Sequence, residues 1–407
     1  MLHWYTAGES HGPALVALME GMPAGVAITT TDVKDALARR RAGYGRGARQ
    51  KFEQDRVRFL AGVRHGVTTG APIAIEIANS EWPKWEKVMS ADPVDPSELL
   101  VDAGRGDGRE MSRNKRLSTP RPGHADLAGM VSYRTDDARN ILERASARET
   151  AARVALGALA RALLTQACGV EVLGHVVSVG DVSAKGGELP APGQRERLDS
   201  SPVRTLDPGA EASFVAKIDE TKAAGDTIAG VIEVVAWNVP SGLGSHVTCT
   251  QKLDAALAGA LMSIQSAKAV EIGDGFETAR RPGSRAHDAI NVVEGSVGRE
   301  TNRAGGIEGG TSNGQPIVAR VGFKPISTVP NALPTVDLQT GLPAGAFHQR
   351  SDTSQVVPAA VIAEAAVELV LAQFLTERFG ARSLPELQEQ LAAQEAYVRA
   401  VLSGRND

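Results

Sequence analysis

Two histidines, a run of arginines and one aspartate are the side chains of this 407-residue sequence best suited to chemistry. His11 lies in Gly8-Glu9-Ser10-His11-Gly12, a tight polar turn ahead of the apolar run from Ala14 to Met19. Its neighbours supply no bulk to pack an imidazole as a core residue is packed. A histidine beside glycine is ordinary in loops, but a titratable group held on a glycine loop is also the usual carrier of proton transfer. His124 repeats the pattern in Arg121-Pro122-Gly123-His124-Ala125-Asp126, with an arginine three residues ahead of it. Six basic residues and no acid fall between Arg39 and Lys51, among them Arg40, Arg46 and Arg49, with Gly43, Gly45 and Gly47 interleaved. One reading is a solvated basic loop or a nucleic-acid patch. The other is a backbone folded around a small anion with several guanidinium groups converging, since arginine suits bidentate binding of carboxylate and phosphate.

Arg144 and Arg148 flank the start of a long helical pattern over residues 143–168. The free N–H groups and partial positive charge there make a cation unfavourable unless an anion joins it. Pairing with Glu143 and Glu149 is the plainer alternative. Ser146 and Glu149 have the spacing of a capping box. Asp352, in Arg350-Ser351-Asp352-Thr353-Ser354, stands ahead of a second long apolar helix; Asp352 or Ser354 could cap that helix, a strong competing role for Asp352. The Gly-rich run at 304–314 suits either close approach of backbone to a flat ligand or a flexible loop. No zinc spacing, nucleophile elbow, carboxylate pair, P-loop or dinucleotide fingerprint stands out. Together these residues point to a small, highly anionic substrate, acid–base work by histidine, and room for a phosphate-bearing cofactor.

The elements that must position them follow from periodicity. Strands are expected at Ala14–Met19, Val26–Thr29, Val57–Val63, Ala71–Ala78, Val170–Val179, Ile228–Trp237 and Ile317–Phe323. Helices are expected from Thr31-Asp32 to the arginine run, then over 143–168, 210–223, Lys252–Ala269, Pro358–Phe379 and roughly 384–402. The 143–168 helix is too apolar for a surface and belongs in the core. Residues 79–122 read as an irregular, exposed excursion from a single domain spanning 1–407. Strands and helices alternate without a regular βαβ rhythm, so the fold class is α+β, with mixed or antiparallel sheets around long core helices.

Composition narrows the field. Hydrophobic residues at 42% and charged residues at 23% are those of a globular protein. The net charge of −4 provides no global field toward nucleic acid or membrane, and 4% aromatics argues against base-stacking platforms. Cys168 and Cys249 form no redox or metal motif. No signal peptide and no run of 18 uncharged apolar residues is read, so a cytoplasmic location is expected.

Three ordered stretches, Gly8-Glu9-Ser10-His11-Gly12 through Glu20-Gly21-Met22-Pro23, Glu143 with Ser146-Ala147-Arg148-Glu149-Thr150, and Arg350-Ser351-Asp352 running to Glu364, closely resemble the chorismate synthase family. The 121–126 stretch and Met262-Ser263-Ile264 through Gly275 match as well. The segment 102–118 is longer than expected for the family, and Thr353 stands where proline or another small residue is common. The resemblance implies a sandwich of long core helices between antiparallel β-sheets, assembled as a homotetramer. It implies the lyase reaction of 5-enolpyruvylshikimate 3-phosphate to chorismate and phosphate, an anti-1,4-elimination with reduced FMN and no net redox change, in aromatic amino acid biosynthesis. Carried over by position, Arg40, Arg46, Arg49, Arg148 and Arg350 would hold substrate anions. Arg144, Ala145, Ser146, Gln265, Ser266, Gly309, Lys324, Pro325, Ile326, Ser327, Thr328 and Arg350 would line the flavin site. His11 would protonate the reduced flavin, His124 would assist the leaving phosphate, and Asp352 would take the proton at flavin N5. No metal is implied. Whether the flavin is reduced by the protein itself with NADPH or by an external reductant stays open.

Two other classes compete. A nucleic-acid-binding module using residues 39–51 should be basic overall, and this chain is not. An FMN-dependent oxidoreductase acting on an anionic substrate would need a nicotinamide site. No dinucleotide fingerprint is present, although FMN reductases need not carry one.

Overall fold

The computed structural model describes residues 1–47, 55–95, 98–99, 115–185, 188–293, 296–347 and 352–403. Its first sheet joins β1 (His3–Ala7), β2 (Ala14–Glu20), β3 (Arg56–Ala61) and β4 (Ile73–Ala78) in the order β1-β2-β4-β3, all antiparallel. Alternation sets its faces: Leu15, Ala17 and Met19 of β2 and Ile73, Ile75 and Ile77 of β4 point inward and are buried. Between β2 and β3 runs α1 (Thr30–Arg41), capped by Thr29 and Asp32 in a reciprocal box and closed by three arginines that complement its C-terminal dipole.

The central helix is not continuous from residue 143. Helix α2 (Asp126–Tyr133) leads to α3 (Arg139–Ala145), the chain breaks at Ser146, and one 3-10 turn opens α4 (Thr150–Cys168). The expected capping box does not form. Ser146 accepts from the Arg148 amide, while the Glu149 carboxylate turns to Thr6, Arg153 and Gln265. Gly169 ends α4 in the left-handed conformation, as its position predicts.

The second sheet is built from β5 (Glu171–Val179), β6 (Gly230–Trp237), β7 (Ala267–Ile272) and β8 (Ile317–Phe323), with α5 (Pro208–Ala223) and α6 (Leu253–Met262) between strands. Its order is β7-β8-β6-β5, antiparallel throughout, with a two-residue strand Val182–Ser183 at the edge. Helices α7 (Val356–Phe379) and α8 (Leu384–Leu402) complete the chain.

Helix α4 packs on the first sheet and on α7, and α7 packs on β5 and β6, so the helices form a layer between two antiparallel sheets. Two glycines permit that closeness. A Cβ at Gly157 of α4 would lie 2.4 Å from the Ala365 Cβ of α7, and one at Gly174 of β5 would lie 2.6 Å from the Ala360 carbonyl oxygen. Helix α7 is long and apolar enough to cross a membrane, yet it lies almost wholly inside the structure.

Two further expectations are corrected, and one strand is unexpected. Val26–Thr29 makes only an isolated bridge, Ala27 to Val67, because Thr29 is already the cap of α1. The expected helix over Lys252–Ala269 ends at Met262, and Ala267 onward is β7, held by pairing with β8 that no local signal announces. His3–Ala7, for which no element is expected, is an edge strand.

Candidate active site

Three contacts fix where the site must be. The Arg40 Nε of α1 donates to Thr150 Oγ1 at 3.0 Å, at the first residue of α4. Gly43, just beyond α1, lies against Val357 in the first turn of α7. Gly157 then meets Ala365 further along both helices. Helices α4 and α7 therefore run side by side in the same direction, and their N-termini, with the C-terminus of α1, share one end of the sandwich. Two helix N-termini present free N–H groups and partial positive charge there.

The first candidate group hangs on Glu143. This side chain is buried, and its carboxylate oxygens each lie 2.9 Å from His11 Nδ1. The His11 amide donates to Glu143 Oε2 at 2.9 Å, and the Ser10 amide donates to the Glu143 carbonyl oxygen at 3.0 Å. The imidazole stacks on Trp85, ring centroids 3.9 Å apart and planes inclined by 22°. Arg139 sits 3.6 Å from the Glu143 carboxylate and holds its guanidinium 5.3 Å from the Trp85 ring. Ser146 Oγ donates to Ser10 Oγ at 3.2 Å, tying this turn to the entrance of α4. Trp85 is buried, so the excursion at 79–122 is not exposed throughout: it returns one indole to the site.

The second group is arginine-rich. Asp55 accepts from Arg41 at 2.5 Å and from Arg148 at 2.6 Å, beside the buried Arg40. Burial pushes the Asp55 carboxyl up, but Arg148, Arg40 and Arg41 outweigh it and hold it below the usual range. Arg46 donates to Asp352 Oδ2 at 2.5 Å, and the Gly47 amide donates to Asp352 Oδ1 at 2.6 Å. The arginine run is thus not one loop. Arg39, Arg40 and Arg41 are the last turn of α1, and Arg39 turns inward to Asp199 and Glu364. Asp352 does not cap α7, whose cap residue is Gln355; the Ser354 hydroxyl accepts from the Val356 amide instead. Arg49 and Arg350 lie outside the described residues.

The third group centres on Asp126, which is fully buried. It holds His124 Nδ1 and accepts from Arg121 Nε at 2.9 Å, while Arg121 Nη1 donates to Thr328 Oγ1 at 3.0 Å. Burial raises the Asp126 carboxyl, but the hydrogen bonds from His124 and Arg121 bring it down to about 2. Arg121 also lies 4.5 Å from the Phe347 ring. Both histidines are therefore held at Nδ1 by a buried carboxylate that an arginine accompanies, with the arginine lying over an aromatic ring.

The segment Lys324–Thr328 joins these groups. Lys324 Nζ donates to the Gly123 carbonyl oxygen, its amide donates to the Ser266 carbonyl oxygen at 2.9 Å, and its own carbonyl accepts from Gln355 at the start of α7. The Ile326 carbonyl oxygen accepts from Thr227. Burial, with Lys268 nearby, lowers the Lys324 ammonium from its ordinary value, so an anion bound there would relieve two crowded cations. Gln265 donates to Glu149 at 3.1 Å, while its buried Oε1 has no partner among the described residues. Ser266 has a φ of 72°, a strained value for a serine. Arg144 is spent on backbone, donating to the Gly8 and Thr6 carbonyl oxygens at 3.0 Å, and the half-buried Ala145 ends α3.

Pro325 and Ser327 travel with that segment. Gly309 does not join it: it lies in the turn between Glu308 and Thr311, beside His246, with no hydrogen bond to the other candidates among the described residues. Sequence reasoning missed Trp85, Asp55 and Arg139, which carry no local signal. It named Glu143, Arg121 and Asp126 within motifs without seeing that they grip the histidines; only the two-residue spacing of His124 and Asp126 hinted at it. Among the described residues, no cluster of His, Cys, Asp or Glu could hold a metal ion.

Comparison with known proteins gives one answer. A family model described as chorismate synthase matches residues 2–376. A chorismate synthase of Acidothermus cellulolyticus is 59% identical over 393 residues, spanning 97% of this chain and 98% of the relative. One from Streptomyces coelicolor is 58% identical over 390 residues, spanning 96% and 97%. A solved structure described as a crystal structure of chorismate synthase matches with a TM-score of 0.74 at 35% identity, covering 98% of each chain.

Proposed function

The chain belongs to the chorismate synthase family, and from that premise we propose that it converts 5-enolpyruvylshikimate 3-phosphate to chorismate and phosphate by anti-1,4-elimination, with reduced FMN as cofactor. One observation carries the proposal: the described candidates, Gly309 excepted, connect through hydrogen bonds and chain neighbours to the shared N-terminal end of α4 and α7. Such an end suits a substrate with one phosphate and two carboxylates.

In this reading Arg40, Arg46 and Arg148 bind the substrate's anionic groups, with Arg49 and Arg350 contributing from outside the described residues. Lys324, with Ser266, Ser327, Thr328 and the unpartnered Gln265 Oε1, fits a polar, phosphate-bearing cofactor, and Arg144, Ala145, Ser146, Pro325 and Ile326 complete its lining. Gly309 is assigned to the same lining by family position alone. Reduced FMN, when bound, would supply the transient electron density that lets phosphate depart and would end the cycle reduced, since substrate and product differ by no net oxidation. His124 delivers a proton to the departing phosphate, and His11 holds a proton for the cofactor. Asp352, anchored by Arg46 and the Gly47 amide, would take the proton at flavin N5, which balances the one hydrogen the substrate loses.

The test is an anaerobic incubation of the chain with reduced FMN and the enolpyruvyl substrate. Chorismate and phosphate should appear in equal amounts. Phosphate without chorismate, or neither, would contradict the proposal.

A further inference from the structure

We infer that Glu143 is a positioning residue that fixes the protonation of His11, with Trp85 as the floor that fixes its plane; the inference rests on the role proposed for His11. An ionised carboxylate can only accept hydrogen bonds. Glu143 Oε2 already accepts from the His11 amide at 2.9 Å, and Arg139 stands 3.6 Å from Oε1, so these partners are all donors. With both carboxylate oxygens 2.9 Å from Nδ1, that nitrogen must carry a proton. Nε2 is then the nitrogen whose proton varies, and the one available for transfer.

Geometry restrains the ring in its remaining freedoms. Rotation about the ring axis is opposed by the Nδ1 hydrogen bond, and tilt is opposed by the Trp85 stack at 3.9 Å. Trp85 is itself clamped by Arg139 on α3, the helix that carries Glu143. The glycine turn that bears His11 would otherwise leave the imidazole loose. One buried glutamate therefore ties together the turn's backbone, its catalytic ring and the arginine that holds the stacking partner. A proton donor tolerates little misplacement, so such support is needed for efficient transfer.

Nitrogen-15 spectra of histidine-labelled full-length protein test this without substrate or cofactor. His11→Asn identifies the signal among the eight histidines. In the wild type, Nδ1 of His11 should stay protonated across about pH 6 to 9, the range in which an unrestrained imidazole loses its proton and exchanges tautomers. In Glu143→Gln the amide can donate as well as accept, so an Nε2–H population with bare Nδ1 should appear. Turnover should fall by about 10²-fold or more, as when a catalytic imidazole is left in the wrong tautomer, with KM nearly unchanged. Trp85→Phe should keep the Nδ1–H tautomer, because Glu143 and not the stacked ring selects it.

A wild-type His11 with bare Nδ1 overturns the inference, and this arm decides even if Glu143→Gln does not fold. An unchanged His11 spectrum or unchanged turnover in a folded Glu143→Gln overturns it too. If the wild type forms no chorismate, the proposed reaction fails, while the tautomer result remains independently readable.

Discussion

At the scale of single residues, the Arg46–Asp352 pair changes what a substitution can report. The sequence left Asp352 between capping a helix and proton transfer; the structure removes the cap and adds a bound arginine. Asp352→Asn therefore disturbs Arg46 as well as removing a base. A double-mutant cycle separates the two effects. Arg46→Ala should lower kcat/KM strongly, and because the pair is partly buried it should also lower stability, by about 1–2 kcal/mol. If Asp352 only steers Arg46, both single variants and the double variant lose the same activity. The proposed proton transfer requires Asp352→Asn to lose more turnover than Arg46→Ala. The histidines and arginines were legible because their residue types are unusual beside glycine. Their carboxylate partners were not, because Glu143 reaches His11 across 132 positions of sequence.

At the scale of elements, the contact between α4 and α7 is the most sensitive joint. Glycine in an exposed helix costs about 1 kcal/mol relative to alanine, so Gly→Ala usually stabilises. At Gly157 the sign reverses: the new methyl would stand 2.4 Å from the Ala365 Cβ and 2.8 Å from its Cα, and backbone cannot move aside. Gly157→Ala should lose about 1–3 kcal/mol in denaturant unfolding, as overpacked cores do; a stabilised variant would mean that the helices are further apart.

Helix α7 also carries two buried glutamates with opposite behaviour. Glu364 is pushed up by burial but pulled well below its ordinary value by Arg39, Arg204 and Arg195, with a Gly174 amide hydrogen bond at 2.8 Å. Glu368 is raised to about 7 by burial, which Glu364 reinforces and Arg161, Arg195 and Arg39 only partly offset; its Oε1 has no partner among the described residues. A carboxyl raised on folding contributes stability that is complete below its unfolded value, near 4.5, and is lost as pH rises through about 7. Glu368→Gln removes that loss. Its Tm should gain on the wild type between about pH 4.5 and 7 and level off above, whereas parallel Tm profiles would contradict the assignment. Long periodic segments such as α7 and β5 were readable from sequence to within a few residues. The break at Ser146 and strand β7 were not, since tertiary hydrogen bonds to Ser10, from Thr6 and with β8 decide them.

At the scale of the whole molecule, the α+β sandwich could be anticipated, because two long apolar helices need sheets on both sides to bury them. How copies assemble is a separate matter. The outer face of the first sheet carries Tyr5, Val16, Leu18 and Leu60 at 38–64% exposure, with Tyr5 and Leu18 paired across β1 and β2. A proposed homotetramer gives such a face a partner, and light scattering should return a mass four times that of one chain; a monomer would contradict the assembly.

The reaction proposed for this site, rich in anion-binding and proton-transfer groups, is an elimination with no net redox change. A flavin oxidoreductase on the same scaffold would consume one reduced cofactor per product. The most direct measurement is anaerobic turnover with FMN held reduced, recording flavin absorbance while chorismate accumulates. The account predicts many chorismate molecules per flavin, absorbance that returns to the reduced level when substrate is exhausted, and no product with oxidised FMN. Stoichiometric oxidation of the flavin as product forms would contradict it.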